Sequence, residues 1–388
     1  MDRNEFEKII KACRFCLMCR HLCTVGNITY AETNTPRGHA LMIDCMGSEA
    51  LEDTPENRKR AAEIFFSCSY CGHCRNNCVS TYEHPDAIMM ARAGVAPDDL
   101  PEKAKRLRAL VEGHGGFYEN PKQLAGNARY SGKADKPGAD VLLYAGSFVR
   151  NEAQEIADAA ASVFEKAGVS YTILSFESGT GMEAYLVGLP DMAQNLLDDE
   201  ARKIASLNPG AVVCLSPDDL RVFSGGVCGL DAKGLCSAAR TEAAKEENAD
   251  GIPVFGFSAF ALELSRSGKL ALRQDNGRQD RTKGTVPPPP TSVPPSGELA
   301  LESAGVAGAA TVSYHDSDQG GRFLQEYDAP REVIRSIPGV MYKELFWTKG
   351  EAASAGESGA IRLLDPALGE KIAKKRMEQV EGRGVDVL

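Results

Sequence analysis

The chain has 388 residues, 43% hydrophobic and 25% charged, with a formal net charge of −10; this suits two or three globular domains and excludes disorder throughout. Its longest apolar stretch, VLLYAGSFV at 141 to 149, falls short of the roughly 20 residues of a membrane-spanning helix, so any membrane association is expected only through a partner. Residues 1–137 hold 19 Lys/Arg against 18 Asp/Glu and the remainder 25 against 36; neither part offers the basic field that nucleic-acid binding requires, and protein partners are expected.

The N-terminus, MDRNEFEKII, is acidic and amphipathic and lacks the basic and apolar regions of a secretory signal. A reducing, cytoplasmic setting follows, in which clustered cysteines mean metal or catalysis more often than disulfides. NEFEKIIKAC, TPENRKRAAEIFFSC and DLPEKAKRLRALVEG carry apolar residues three and four apart and predict helices over most of the first 130 residues. Thr54 is the expected N-cap and Pro55 the first helical residue of the second.

Two of these helices lead into cysteine runs, Cys13, Cys16, Cys19 and Cys23 in CRFCLMCRHLC, then Cys68, Cys71, Cys74 and Cys78 in CSYCGHCRNNC. Together they take eight of the twelve cysteines. Four thiolates within eleven residues suit a cubane iron-sulfur cluster, whereas zinc sites mostly join two CxxC-like pairs a dozen or more residues apart. Zinc or reactive thiols are the alternatives. A repeated C-x2-C-x2-C-x3-C run is the two-cluster ferredoxin spacing, in which the fourth cysteine of each run serves the other cluster. Two [4Fe-4S] clusters are therefore expected, cluster one on Cys13, Cys16, Cys19 and Cys78 and cluster two on Cys68, Cys71, Cys74 and Cys23. Thr24 and Val79 stand where a proline usually follows the fourth cysteine; this affects loop stiffness rather than ligation, since proline only fixes φ. His21 and His73, inside the runs, are expected at the surface or as neighbours of the sulfurs rather than as ligands.

After the joint YSGKADKPGAD the pattern changes to strand, helix, strand in ADVLLYAGS, NEAQEIADAAASVFEKAG and VSYTILSF, an α/β unit with parallel pairing. VPPPPTSVPPSGE, within 284–298, reads as a stiff linker. Beyond it ATVSYHDS parallels ADVLLYAGS, GAIRLLDPALGEKIAKKRMEQV parallels GMEAYLVGLPDMAQNLLDDEARKI, and GVDVL parallels GAVVCL, so two diverged copies of one unit are expected. The fold class is multidomain, α followed by α/β: a helical dicluster domain at 1–135, α/β units at 139–280 and 308–388, and the linker between them.

On its cysteine runs, on ETNTPRGHALM after the first, on HDSDQGGR with YDAPREVIRSIPGV, and on the spacing around Gly181 and Gly188, the chain resembles iron-sulfur proteins that join a dicluster ferredoxin domain to two cysteine-rich CCG units. These include the iron-sulfur subunits of anaerobic glycerol-3-phosphate dehydrogenase, glycolate oxidase and lactate-utilisation systems, and the catalytic subunit of heterodisulfide reductase. The resemblance implies an electron-transfer subunit, without catalytic residues of its own, that relays between a flavoprotein dehydrogenase or other redox subunit and a downstream acceptor. The alternative is a heterodisulfide-reductase-like thiol/disulfide oxidoreductase, whose CCG cysteines hold a further cluster. Here Ser147, Gly179-Thr180-Gly181 and Ser216-Pro217-Asp218-Asp219 stand at those positions in the first unit, and Asp318 and the cysteine-free SAGESGA in the second. Ser and Asp do not replace thiolates on a soft iron-sulfur site, so both units are expected to be scaffold.

Four cysteines fall elsewhere. Cys45 is off the family positions, Cys214 lies in the apolar strand AVVCL as a small hydrophobe, and Cys228 and Cys236 flank a glycine-rich loop and are expected to be inert rather than a redox pair. SGTGMEA at 178 to 184 resembles a dinucleotide fingerprint, but the acidic residue such a site needs is misplaced, so its glycines are read as a remnant of the CCG turn.

Overall fold

The computed structural model describes residues 9–237, 251–270 and 310–388; the proline-rich linker and the start of the first expected helix lie outside the described residues. Helices α1 (Pro36–Gly47), α2 (Pro55–Phe66), α3 (His84–Ala93) and α4 (Glu102–His114) build the N-terminal part. The first two start by the same device. Thr35 and Thr54 accept hydrogen bonds from the amides of Gly38 and Asn57, both at 3.1 Å, and Pro36 and Pro55 follow as first helical residues, where a missing N–H costs nothing.

Next come β1 (Val141–Tyr144), α5 (Gln154–Lys166), β2 (Tyr171–Thr172), α6 (Met182–Leu186), α7 (Pro190–Leu207), β3 (Val212–Cys214), α8 (Pro217–Phe223), β4 (Leu235–Ser237), β5 (Ile252–Gly256) and α9 (Phe257–Arg266). The strands form one sheet in the order β2-β1-β3-β5-β4 with every pairing parallel. β2 is shorter than the apolar run 169–176 predicts, because the chain joint takes its place. Ile173 pairs with Ala134 in an isolated bridge and exchanges backbone bonds with Lys133 and Asp135, which covers the sheet edge.

Alternation along β1 divides the core. Leu142 and Tyr144 pack toward α6, α7 and the N-terminal helices, in one cluster that runs from Ile10 to Leu364. Val141 and Leu143 face α5 and α9 on the other side. With a side-chain period of two, a strand buried on both faces reads as a continuous apolar run.

The C-terminal part holds β6 (Ala310–Val312), α10 (Asp328–Arg335), β7 (Val340–Tyr342) and α11 (Pro366–Glu378). β6 pairs in parallel with β7, and Val312 bridges in parallel to Val387. β6 thus stands between β7 and the chain's end as β1 stands between β2 and β3.

Candidate metal centre

Both cysteine runs fold locally in the same way. The second residue after the leading cysteine, Phe15 or Tyr70, adopts a left-handed backbone, φ 50° and 53°, a conformation costing a β-carbon-bearing residue about 1 kcal/mol or more. In each case the turn aims that residue's amide at the leading sulfur, at 3.4 Å for Phe15 to Cys13 and 3.5 Å for Tyr70 to Cys68. The fourth cysteines are served alike, by the amide of Gly26 on Cys23 at 3.3 Å and that of Tyr82 on Cys78 at 3.4 Å. N–H donors directed at sulfur are what a thiolate ligand requires.

The eight thiols gather around two adjoining cavities. One is lined by Cys13, Cys16, Cys19 and Cys78 together with Cys74; the other by Cys23, Cys68, Cys71 and Cys74. Pro36, Cys74 and His84 border both. Burial pushes the thiols of Cys19 and Cys68 up to about 11, and those of Cys23 and Cys74 are raised too, by burial and then by neighbouring thiols. Cys78 goes the other way: burial raises it, but hydrogen bonds from Ser80 and Tyr82 outweigh this and hold it below its ordinary value. Thiols so placed ionise together only around a cation that compensates their charge.

The surroundings of the runs differ. Cys16 is exposed, with Leu17 63% and Met18 51% exposed beside it. Cys71 and Cys74 are buried beneath residues from far along the chain. Arg92, fully buried, donates to the carbonyls of Phe65 (3.1 Å), Cys68 (2.7 Å) and Leu186 (2.9 Å) and reaches that of Gly359 (3.5 Å). Arg322 donates to the carbonyls of Cys71 (2.9 Å) and Gly350 (3.0 Å) and pairs with Asp318. Gly72, at φ 74°, lies so close under Phe323 that a β-carbon there would stand 2.7 Å from the ring, so the turn and its cover both require glycine.

His21 is exposed, as expected. His73 is buried and lines the cavity of Cys23, Cys68, Cys71 and Cys74, a neighbour of the sulfurs as expected, while its ring bonds Glu351 at 3.2 Å. Two further histidines border the thiols, His39 and His84, both buried, stacked at 5.2 Å and joined ring nitrogen to ring nitrogen at 3.2 Å. Burial holds both below the usual imidazole range, His84 down to about 3. With Cys68 they form the one group of three or more metal-binding side chains whose ligand atoms lie within 4.8 Å of one another among the described residues. The spacing of the runs gave no sign of this pair; the nearest signal was the GHALM and EHPD segments that follow each run.

The positions where the resembling family has CCG cysteines converge as well. Ser147, Thr180, Ser216 and Asp219 line a cavity of about 420 Å³ at the carboxyl ends of β1, β2 and β3, where the strand order reverses and α/β sheets have their crevice. Its polar wall is carboxylic. Glu177 accepts from the amides of Ala145 and Gly146 and pairs with Arg150 at 3.0 Å, and Asp219 accepts from the Thr180 hydroxyl at 2.7 Å. Burial raises Glu177, Glu183 and Asp218 to about 7 and Asp219 to about 6. In the C-terminal part, Asp318 is buried, bonded by Ser354 at 2.6 Å and by Arg322. Cys214 is buried in β3, and Cys45 is half-buried on α1; the side chain of Cys236 lies outside the described residues.

No family model matches the chain, and no solved structure matches it. It is similar to "Probable iron-sulfur-binding oxidoreductase FadF" of Bacillus subtilis, 22% identical over 337 residues that cover 82% of this chain and 40% of that protein. It is also similar to "Probable membrane-anchored ferredoxin" of Chromohalobacter salexigens, 25% identical over 330 residues covering 82% and 42%. A 78-residue stretch is 33% identical to one subunit of the dihydromethanophenazine:CoB–CoM heterodisulfide reductase of Methanosarcina mazei, covering 20% of this chain and 19% of that one. The chain thus resembles iron-sulfur oxidoreductase subunits, and spans about two fifths of the first two relatives. Among the described residues no helix is long and apolar enough to cross a membrane.

Proposed function

We propose that the protein is a cytoplasmic electron-transfer subunit that holds two [4Fe-4S] clusters, one on Cys13, Cys16, Cys19 and Cys78 and one on Cys68, Cys71, Cys74 and Cys23. The observation that carries this reading is the pair of adjoining thiol-lined cavities that share a wall at Cys74. A single tetrahedral ion with sulfur at about 2.3 Å draws its thiolates to about 3.8 Å from one another. Among the described residues the one grouping closed to within 4.8 Å is His39, Cys68 and His84, and it takes in one cysteine. The wider four-thiol sets suit a cubane, which supplies one-electron storage when bound. The chain's own residues fix the amide donors on the sulfurs, bury Cys71 and Cys74 of the second set, and leave the first set open beside Cys16.

The surface around Cys16, Leu17 and Met18 is the place of exchange with a flavoprotein dehydrogenase or similar redox subunit, and membrane association runs through such a partner. The two α/β parts descend from one unit, supported by the matching positions of β1 and β6 between their parallel neighbours. The heterodisulfide-reductase-like alternative needs sulfur ligands in the cavity below β1 to β3, where Ser147, Thr180, Ser216 and Asp219 stand. Iron and acid-labile sulfide per chain, with EPR of the reduced, anaerobically purified protein, tests the proposal. About eight irons and a spin-coupled pair of cubane signals are expected; markedly more iron, or a signal appearing on oxidation with a thiol, favours the alternative, and about four irons or fewer refutes two clusters.

A further inference from the structure

The described residues hold eight buried side-chain nitrogen and oxygen atoms without a hydrogen-bond partner. Four of them, on His39, Tyr70, Tyr82 and His84, belong to residues that line the thiol cavities. Buried polar atoms are rarely left unpaired in a folded protein. Their gathering on these walls points to acceptors inside the cavities, and the sulfurs of a bound cluster are acceptors.

The four are not alike. The Tyr70 hydroxyl has Arg221 and Tyr185 as its neighbours, and the bond between His39 and His84 occupies one nitrogen of each ring. Tyr82 is 4% exposed and lines the cavity of Cys13, Cys16, Cys19 and Cys78. Its hydroxyl stands among thiols: burial first, and then Cys13, Cys74, Cys19 and Cys68, raise it well above its ordinary value. A protonated phenol is a donor. Two contacts hold it in place, since the Tyr82 amide bonds the Cys78 sulfur at 3.4 Å and the ring packs against His84 with centroids 5.6 Å apart.

The second set has no counterpart to this phenol. There the amide on the fourth cysteine, Cys23, comes from Gly26, and a β-carbon at that position would stand 2.8 Å from Thr35 Cγ2. One loop device thus carries a hydroxyl on one side of the centre and no side chain on the other.

We propose that the Tyr82 hydroxyl donates a hydrogen bond to a sulfur of the cluster on Cys13, Cys16, Cys19 and Cys78, and that this bond draws electrons to the open site, where the partner exchanges them. The inference rests on the two-cluster reading above. A donor on sulfur stabilises the reduced, more negative cluster and so raises its potential. The transfer it favours moves one electron from the covered cluster to the open one, with no bond formed or broken.

The test is a potentiometric titration of anaerobic protein with its full iron complement, read by EPR. Cys16→Ser identifies the first cluster, because it alters the signal of the cluster that this residue holds. Tyr82→Phe removes only the hydroxyl. At a fixed potential it should lower the reduced-to-oxidised ratio of the first cluster about tenfold, equal to about 59 mV for one electron, and leave the second cluster and the iron content as in the wild type. An unaltered first potential overturns the proposal, as does an equal fall in both. Should Tyr82→Phe lose iron, the wild-type chain grown on 3-fluorotyrosine decides. Its more acidic phenol is the stronger donor, and Tyr82 is the one tyrosine that lines the first cavity among the described residues, so the first potential should rise; an unmoved potential overturns the proposal. Wild-type protein with two clusters and no response to either change refutes only this inference, whereas wild-type protein with about four irons or fewer refutes the two-cluster reading with it.

Discussion

The two cysteine runs have the same spacing and the same left-handed turn, and they live in different environments. The first ends in an exposed edge at Cys16 with bare Leu17 and Met18; the second lies under Arg322, Phe323 and Glu351, some 250 to 280 residues later in the chain. Equal ligand sets do not make equal sites. Solvent exposure and hydrogen bonds to sulfur set the potential of a cluster, so on the two-cluster reading proposed above the covered and the open site would differ in potential through tertiary packing rather than ligand chemistry.

The strongest way to break this comparison is Arg92→Met. It strands the carbonyls of Cys68, Phe65 and Leu186 in the core, and should cost about 3–5 kcal/mol of stability in urea unfolding, with about half the iron lost from the second site. A loss under about 1 kcal/mol would mean that Arg92 does not hold the covered loop. Arg322→Gln comes next: it removes the donor on Cys71 O and leaves Asp318 buried without its cation, at a cost of about 2–3 kcal/mol. Unfolding that remains as late as in the wild type would show that the C-terminal part rests on the loop without bracing it.

A smaller effect, in the carboxylic cavity away from both runs, depends on pH. Burial first, and then the charge of Asp219, raises the Asp218 carboxyl to about 7. A raised acid favours folding fully below the ordinary carboxylate range, and that contribution is lost as pH rises through about 7. Asp218→Asn should therefore stabilise the chain by about 1 kcal/mol at pH 8 and by nothing at pH 4, the figure held down because the side chain is partly exposed. Melting temperatures across that range check it; a wild-type and variant difference independent of pH would remove Asp218 as the cause. The smallest expected change is Leu17→Glu, within about 0.5 kcal/mol in stability as for an exposed position, but slowing electron exchange with a partner that docks there. Unaltered exchange kinetics would move the docking surface away from Cys16.

The ligand candidates and the start of α2 were legible in the sequence because each rests on local chemistry: the thiol spacing, and Thr54-Pro55 as a cap. The sheet was legible as parallel from the apolar run of β1, but not its order, which is a matter of long-range pairing. Arg92, Arg322 and His84 were illegible for a physical reason. One arginine in an amphipathic helix reads as solvated, and only the carbonyls converging from residues 65, 68, 186 and 359 make it a core residue. His73 was legible in part: a histidine flanked by cysteines reads as their neighbour, which it is, but its ring partner, Glu351, lies 278 residues on.

Phe323 seated on Gly72, and Arg322 on Cys71 O, tie the turn between Cys71 and Cys74 to a part of the chain some 250 residues later. On the two-cluster reading, loading of the covered site would therefore depend on when that part docks, whereas the site beside the exposed Cys16 would stay within reach of solvent.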